Sequence, residues 1–133
     1  MRVILAVDPG RMKCGIAVLN SESVLYRAVL AREGIDQVIL DLALEYAVCA
    51  LVLGNGTGSE EMAESLKAAG LSVPVESVDE AYSTLKAREL FFAENPRRGL
   101  RRLIPVGLLT PDRPYDDYVA VILGKEYLSR QQE

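Results

Sequence analysis

The first seven residues after Met1 set the pattern: Val3 to Val7 is wholly apolar, short enough for a buried strand, and Asp8 closes it. Pro9-Gly10 reads as a turn. Cys14 to Leu19 is a second apolar run that carries Gly15, so Met1 to Asn20 predicts two strands joined by a tight glycine turn with a carboxylate at its mouth. Asp8 in that position either caps the turn or opens a site, and the stretch alone supports both readings. Val24 to Leu30, rich in β-branched residues and preceded by the polar turn Ser21-Glu22-Ser23, extends the pair to a three-strand meander.

From Gly34 to Val48 the period changes. Ile35, Val38, Ile39, Leu42 and Tyr46 follow helical spacing, with Asp36, Gln37, Asp41 and Glu45 on the other face. Ala50 to Leu53 is a short buried strand running into the loop Gly54-Asn55-Gly56-Thr57-Gly58. A helix is predicted over Ser59 to Ala69, with Thr57 or Ser59 as N-cap, Glu60 and Glu61 in its first turn and Gly70 as its stop. Val73 to Val78 supplies a fifth strand, and Pro74 near its start suits an edge or an entry point.

Beyond it, Ser83 to Glu94 is helical by content and ends at Asn95-Pro96. Arg97 to Tyr115, with Pro105, Pro111 and Pro114, reads as a loop or short helical turns. A last helix begins near Asp116 and runs through Val119, Ile122, Leu123, Tyr127 and Leu128, leaving Ser129 to Glu133 as a frayed end. The order β-β-β-α-β-α-β-α-α predicts an α/β protein, a mixed sheet with helices on both faces.

Composition narrows the chemistry. With 133 residues and 50% hydrophobic content the chain amounts to one domain with a sizeable core. No run reaches the roughly 20 apolar residues of a membrane span, and no signal peptide is evident at the start, so a cytoplasmic protein without a membrane partner is expected. Cys14 and Cys49 both sit in apolar runs and are expected as reduced core residues. Histidine is absent, which excludes Ser-His and Cys-His catalysis and histidine-ligated zinc. The net charge of −4 leaves room for a basic patch but not for a basic surface.

What remains is carboxylate chemistry. Asp8 ends the first strand, Glu80 follows the fifth, and Asp116 and Asp117 open the last helix; these positions can converge at one edge of the sheet. Such acids suit a hard divalent cation, which takes oxygen ligands and assists in-line phosphoryl displacement. Glu80 also fits the first turn of a helix, and Asp116 or Asp117 an N-cap. The loop from Gly54 to Gly58 reads as a phosphate-binding nest or as a plain strand-to-helix turn. Arg97, Arg98, Arg101 and Arg102 form a local positive run suited to several phosphate contacts, or simply a solvated charge run.

The segments VILAVDPGRMKCGIAVL, SVDEAYST and DDYVAVILGKEYL, taken in this order, resemble the RNase H-like nucleases of the YqgF (RuvX) family, relatives of the RuvC Holliday-junction resolvases. LVLGNGTGSEE and DEAYS are also similar to the YqgF-like domain of the transcription factor Tex. The resemblance spans nearly the whole chain. It implies an RNase H-like fold, a five-stranded mixed sheet in a single domain over 1–133. It also implies a catalytic set of Asp8, Glu80 and Asp116, with Asp117 as the alternative third ligand one residue along, holding Mg²⁺ or Mn²⁺.

Lys13 falls on a basic position of the family and would contact phosphate. The implied activity is hydrolysis of phosphodiester bonds in structured RNA, ribosomal RNA precursor above all, or in branched DNA, where a symmetric cut would require a homodimer. Two departures bear on substrate. Ala81 follows Glu80 where resolvase-type members carry arginine, and Leu103 to Tyr115 is longer and richer in proline than the family's turn before the last helix. The first keeps open a non-catalytic nucleic-acid-binding module like the Tex domain. The sugar-kinase and actin superfamily shares the strand pair with its acid and glycine turn, but needs two such domains to enclose ATP.

Overall fold

The computed structural model of the chain describes residues 2–56, 58–79, 93 and 116–131, with the side chains of Asp116 and Gln131 outside that description. Among the described residues the elements are β1 (Ile4–Asp8), β2 (Lys13–Leu19), β3 (Val24–Ala31), α1 (Ile35–Glu45), β4 (Ala50–Gly54), α2 (Ser59–Ala68), β5 (Val75–Val78) and α3 (Asp116–Gln131). The five strands form one sheet in the order β3-β2-β1-β4-β5. β1, β2 and β3 pair antiparallel, whereas β4 pairs parallel to β1 and β5 parallel to β4. Each parallel pairing needs a crossover, which α1 and α2 provide.

The unbroken apolar run of β1 follows from its central place, since both of its faces are covered. Leu5 and Val7 pack with Ile16, Val18, Ile35, Ile39, Leu42, Met62 and Leu66 beneath α1 and α2. Ile4 and Ala6 pack with Ala17, Ala50, Val52 and the α3 residues Val119, Ala120 and Leu123 on the opposite face. The side toward α3 is rich in alanine, and Gly124 completes the close approach: a Cβ there would lie 2.5 Å from Leu19 Cδ2. Helices on both faces agree with the expected mixed sheet.

α3 runs antiparallel to β1: Asp117 near its start pairs with Arg27, which is level with Ala6 through Ala17, whereas Gly124 further along is level with Ile4. Gly124 meets Leu19, which pairs with Ile4 at the start of β1. From there to Asp117 the helix climbs about 10 Å at 1.5 Å per residue. From Ile4 to Asp8 β1 climbs about 13 Å at 3.3 Å per residue. The first turn of α3 and the last residue of β1 therefore arrive at the same end of the sheet.

Element boundaries differ from the expected ones for identifiable reasons. β5 starts at Val75 rather than Val73, because its partnership with β4 opens at the Pro74 carbonyl, which accepts from the Leu51 N–H at 2.9 Å. α1 stops at Glu45; Ala47 turns to φ 50, and the Val48 N–H bonds back to the Ala43 carbonyl. The N-cap of α2 is Gly58, with no side-chain cap bond, in place of Thr57 or Ser59. α3 continues to Gln131, three residues into the end expected to fray. Cys14 is buried, but Cys49 is exposed: it lies in the turn before β4, where its N–H bonds to the Val3 carbonyl, and is not a core residue. The helix expected over Ser83 to Glu94 and the loop expected over Arg97 to Tyr115 lie outside the described residues, but for position 93, which is helical. Among the described residues no helix is long and apolar enough to cross a membrane.

Candidate metal and nucleic-acid site

Strand alternation puts Asp8 on the same face as Ile4 and Ala6, the face that α3 covers. It is half-buried. Its partner on β2 is Gly15. On the other side, Val7 pairs with Leu53, so one step along both strands Gly54 stands beside Asp8. Gly54 in turn pairs with Val78. The carboxylate thus occupies a row in which neither flanking strand contributes a side chain. Sequence reading singled out Gly15 and the Gly54 loop separately; register brings the two to either side of one acid.

Lys13, the first residue of β2, lies two positions before Gly15 and so on the face of Asp8, and its side chain is exposed. A cation at the same edge and on the same face suits a phosphate contact. Arg11 and Met12 are exposed in the preceding turn.

Asp117 has a different setting. Its Oδ2 is 3.6 Å from Arg27 Nε on β3, and the Arg27 guanidinium stacks over the Tyr118 ring at 4.5 Å from the centroid. With side chains 35% and 15% exposed, the ion pair contributes about 0.5–1 kcal/mol, and the stacking a similar amount. Together they tie the first turn of α3 to β3. The Arg27 pairing was invisible in sequence, because Asp117 lies far along the chain and no local pattern encodes the contact.

Arg32 was also missed. It follows β3 and sends its guanidinium across the sheet edge: Nη1 donates to the Gly10 carbonyl at 2.8 Å and Nη2 to the Gly58 carbonyl at 3.2 Å. Hydrogen bonds from a charged donor contribute about 1.5–3 kcal/mol each when they replace solvent contacts. Gly58 sits at φ 73, and a Cβ there would lie 3.0 Å from Nη2, so glycine is what lets the guanidinium come this close. Beneath the same edge Cys14 is fully buried, and its thiol pKa is raised chiefly by that burial.

At the other end of the sheet, burial and then the Glu76 carboxylate raise the Tyr127 hydroxyl above its ordinary value, with Arg2 opposing. One oxygen of Glu76, Oε2, is buried and finds no hydrogen-bond partner among the described residues.

Of the residues singled out by sequence, then, Asp8, Lys13 and the backbone start of α3 share one edge. Glu80, the side chain of Asp116, and Arg97, Arg98, Arg101 and Arg102 lie outside the described residues. Among the described residues no group of three or more acids or cysteines is clustered to hold a metal ion.

The chain matches no protein-family model and no curated protein. Solved structures resemble it along its whole length. RuvC from Thermus thermophilus in complex with a Holliday junction substrate superposes with a TM-score of 0.57 at 16% identity, covering 98% of this chain and 96% of that one. The fowlpox virus Holliday junction resolvase superposes with a TM-score of 0.61 at 12% identity, covering 97% and 99%. The fold is RNase H-like. A second structure of Thermus thermophilus RuvC gives the same TM-score of 0.57 at 15% identity, covering 97% and 96%. At such identities the likeness speaks to architecture: the five-stranded mixed sheet expected from the sequence, with Asp8 ending the central strand of an RNase H-like sheet.

Proposed function

We propose that the chain is a divalent-metal-dependent nuclease of the YqgF type that hydrolyses phosphodiester bonds in structured nucleic acid, acting as one domain over 1–133. The observation that carries this is the setting of Asp8. It ends the central strand of an RNase H-like sheet, flanked by Gly15 and Gly54, on the face of Lys13 and at the end where α3 begins. The donor set fits a hard cation, since the candidate ligands are all carboxylates and the chain has no histidine.

Asp8, Glu80 and Asp116 would hold Mg²⁺ or Mn²⁺. Asp117 is the less suitable third ligand, because its carboxylate is paired with Arg27. When bound, the metal would supply a polarised water and offset charge on the phosphodiester. Lys13 binds a flanking phosphate, and Arg97, Arg98, Arg101 and Arg102 supply further, salt-sensitive phosphate contacts. Precursor ribosomal RNA is the substrate that the YqgF resemblance suggests. Branched DNA is a second reading, favoured by whole-length likeness to two resolvases of Holliday junctions; it would call for a homodimer.

The test is cleavage of a precursor ribosomal RNA fragment and of a four-way DNA junction in Mg²⁺ or Mn²⁺, with linear duplexes as controls. One structured substrate is expected to be cut by the wild type and left intact by Asp8→Asn and by Glu80→Gln. Wild-type rates in both variants would overturn the proposal. Binding that is unchanged in EDTA, with no substrate cut, would replace it with a non-catalytic module like that of Tex.

A further inference from the structure

Two loops close the sheet at the Asp8 end: the β1–β2 turn through Gly10, and the β4–α2 loop ending at Gly58. They belong to different strands, yet one side chain is bonded to both. The Arg32 guanidinium forks to the Gly10 carbonyl at 2.8 Å and the Gly58 carbonyl at 3.2 Å. Its own backbone is fixed on either side, since its N–H donates to the Met12 carbonyl at 2.8 Å and its carbonyl accepts from the Ile35 N–H at 3.2 Å.

The direction of approach matters. Ala31 pairs with Lys13, which is on the Asp8 face, so alternation turns Arg32 to the opposite face. There it lines a cavity of about 290 Å³ with Ile35, Asp36, Met62 and Ser65, between the N-terminal turns of α1 and α2. The side chain therefore reaches the two loops from behind the sheet, while Asp8, Gly15 and Gly54 share the front.

The geometry points to Arg32 as a positioning residue, a brace that holds the β1–β2 turn and the β4–α2 loop as one unit on either side of Asp8. This rests on the nuclease reading of the Asp8 edge and adds a residue to it. Arg32 does its work without touching substrate. A planar fork with two divergent N–H groups can satisfy two carbonyls from separate loops at once, which a single ammonium on a flexible stem does poorly. Small displacements of positioned groups cost rate more than binding, so the brace belongs in kcat.

The experiment compares wild type, Arg32→Ala and Arg32→Lys on whichever substrate the wild type cuts, alongside amide hydrogen exchange of the Mg²⁺-loaded protein. Arg32→Ala is expected to lower kcat about 10- to 100-fold with KM changed less than about threefold. Amides of both loops should exchange faster together, while those of α3 keep their rates. Arg32→Lys, which retains charge and bulk, is expected to regain melting temperature but not kcat, separating positioning from folding.

Wild-type kcat in Arg32→Ala would overturn the brace and leave the nuclease reading standing. A wild type that cuts nothing would overturn the nuclease reading instead. Loop exchange would then decide the brace: joint loosening in Arg32→Ala supports it, and unchanged exchange in either loop overturns it.

Discussion

Tyr127 and the two cysteines show how differently single residues of one type of surrounding sequence are placed. The Tyr127 hydroxyl is raised by burial and then by Glu76, so the folded protein holds this proton more tightly than the unfolded chain does. Its contribution to stability is therefore complete below about pH 10, the ordinary tyrosine value, and fades as pH climbs through the higher folded value. Denaturant melts at pH 9 to 11.5 should show stability falling above pH 10, with a shallower fall in Tyr127→Phe; equal slopes would contradict the assignment.

Cys14 and Cys49 looked alike in sequence, both inside apolar runs, but only Cys14 is buried. A thiol reagent applied to the native protein should label Cys49 and leave Cys14 unmodified until denaturant is added, as read by mass spectrometry of the peptides. The strand start at Ala50 was read correctly; what made Cys49 illegible is that an apolar residue just ahead of a buried strand can belong to the exposed turn before it. Arg27 and Arg32 were illegible for a related reason. Their partners, Asp117, Gly10 and Gly58, are 22 to 90 positions away, and nothing in a local pattern encodes such pairings.

At the level of elements, the apolar periods carried most of the information. Strands buried on both faces are continuous apolar runs, and α1 has a plain 3.6-residue stripe, so these elements could be located from side chains alone. Their ends were set by backbone bonds instead, as at Pro74 and at Gly58, which caps α2 without a side chain.

Gly124 is an element-level feature that helix propensity misjudges. Propensity alone disfavours glycine in mid-helix, whereas here it is the point at which α3 meets Leu19 in the core. Gly124→Val should destabilise the protein by about 2 kcal/mol or more through overpacking, measured by denaturant unfolding. A stability gain would show that α3 has room to move away from the sheet.

For the whole molecule, strand order was the part the sequence could only imply. Three hairpin-linked strands followed by alternating helices and strands limit the topologies sharply, and the observed β3-β2-β1-β4-β5 order is one that keeps both crossovers on one face and leaves the other for α3. That order is what turns scattered motifs into a site, because it sets Gly15 and Gly54 on either side of Asp8 and brings α3 to the same end.

The legible part of the candidate site was the shared edge and face of Asp8 and Lys13, which belong to a local hairpin. The proposed catalytic set would also need Glu80 and Asp116 to meet Asp8, a tertiary event that no local pattern encodes. The most direct measurement is anomalous diffraction from crystals of the protein soaked in Mn²⁺. The expected result is a difference peak within coordination distance of the Asp8 carboxylate, shared with Glu80 and Asp116 and absent in Asp8→Asn. No peak at Asp8 in well-ordered, Mn²⁺-saturated crystals, or a peak that survives Asp8→Asn unchanged, would contradict a metal-dependent nuclease built on this strand.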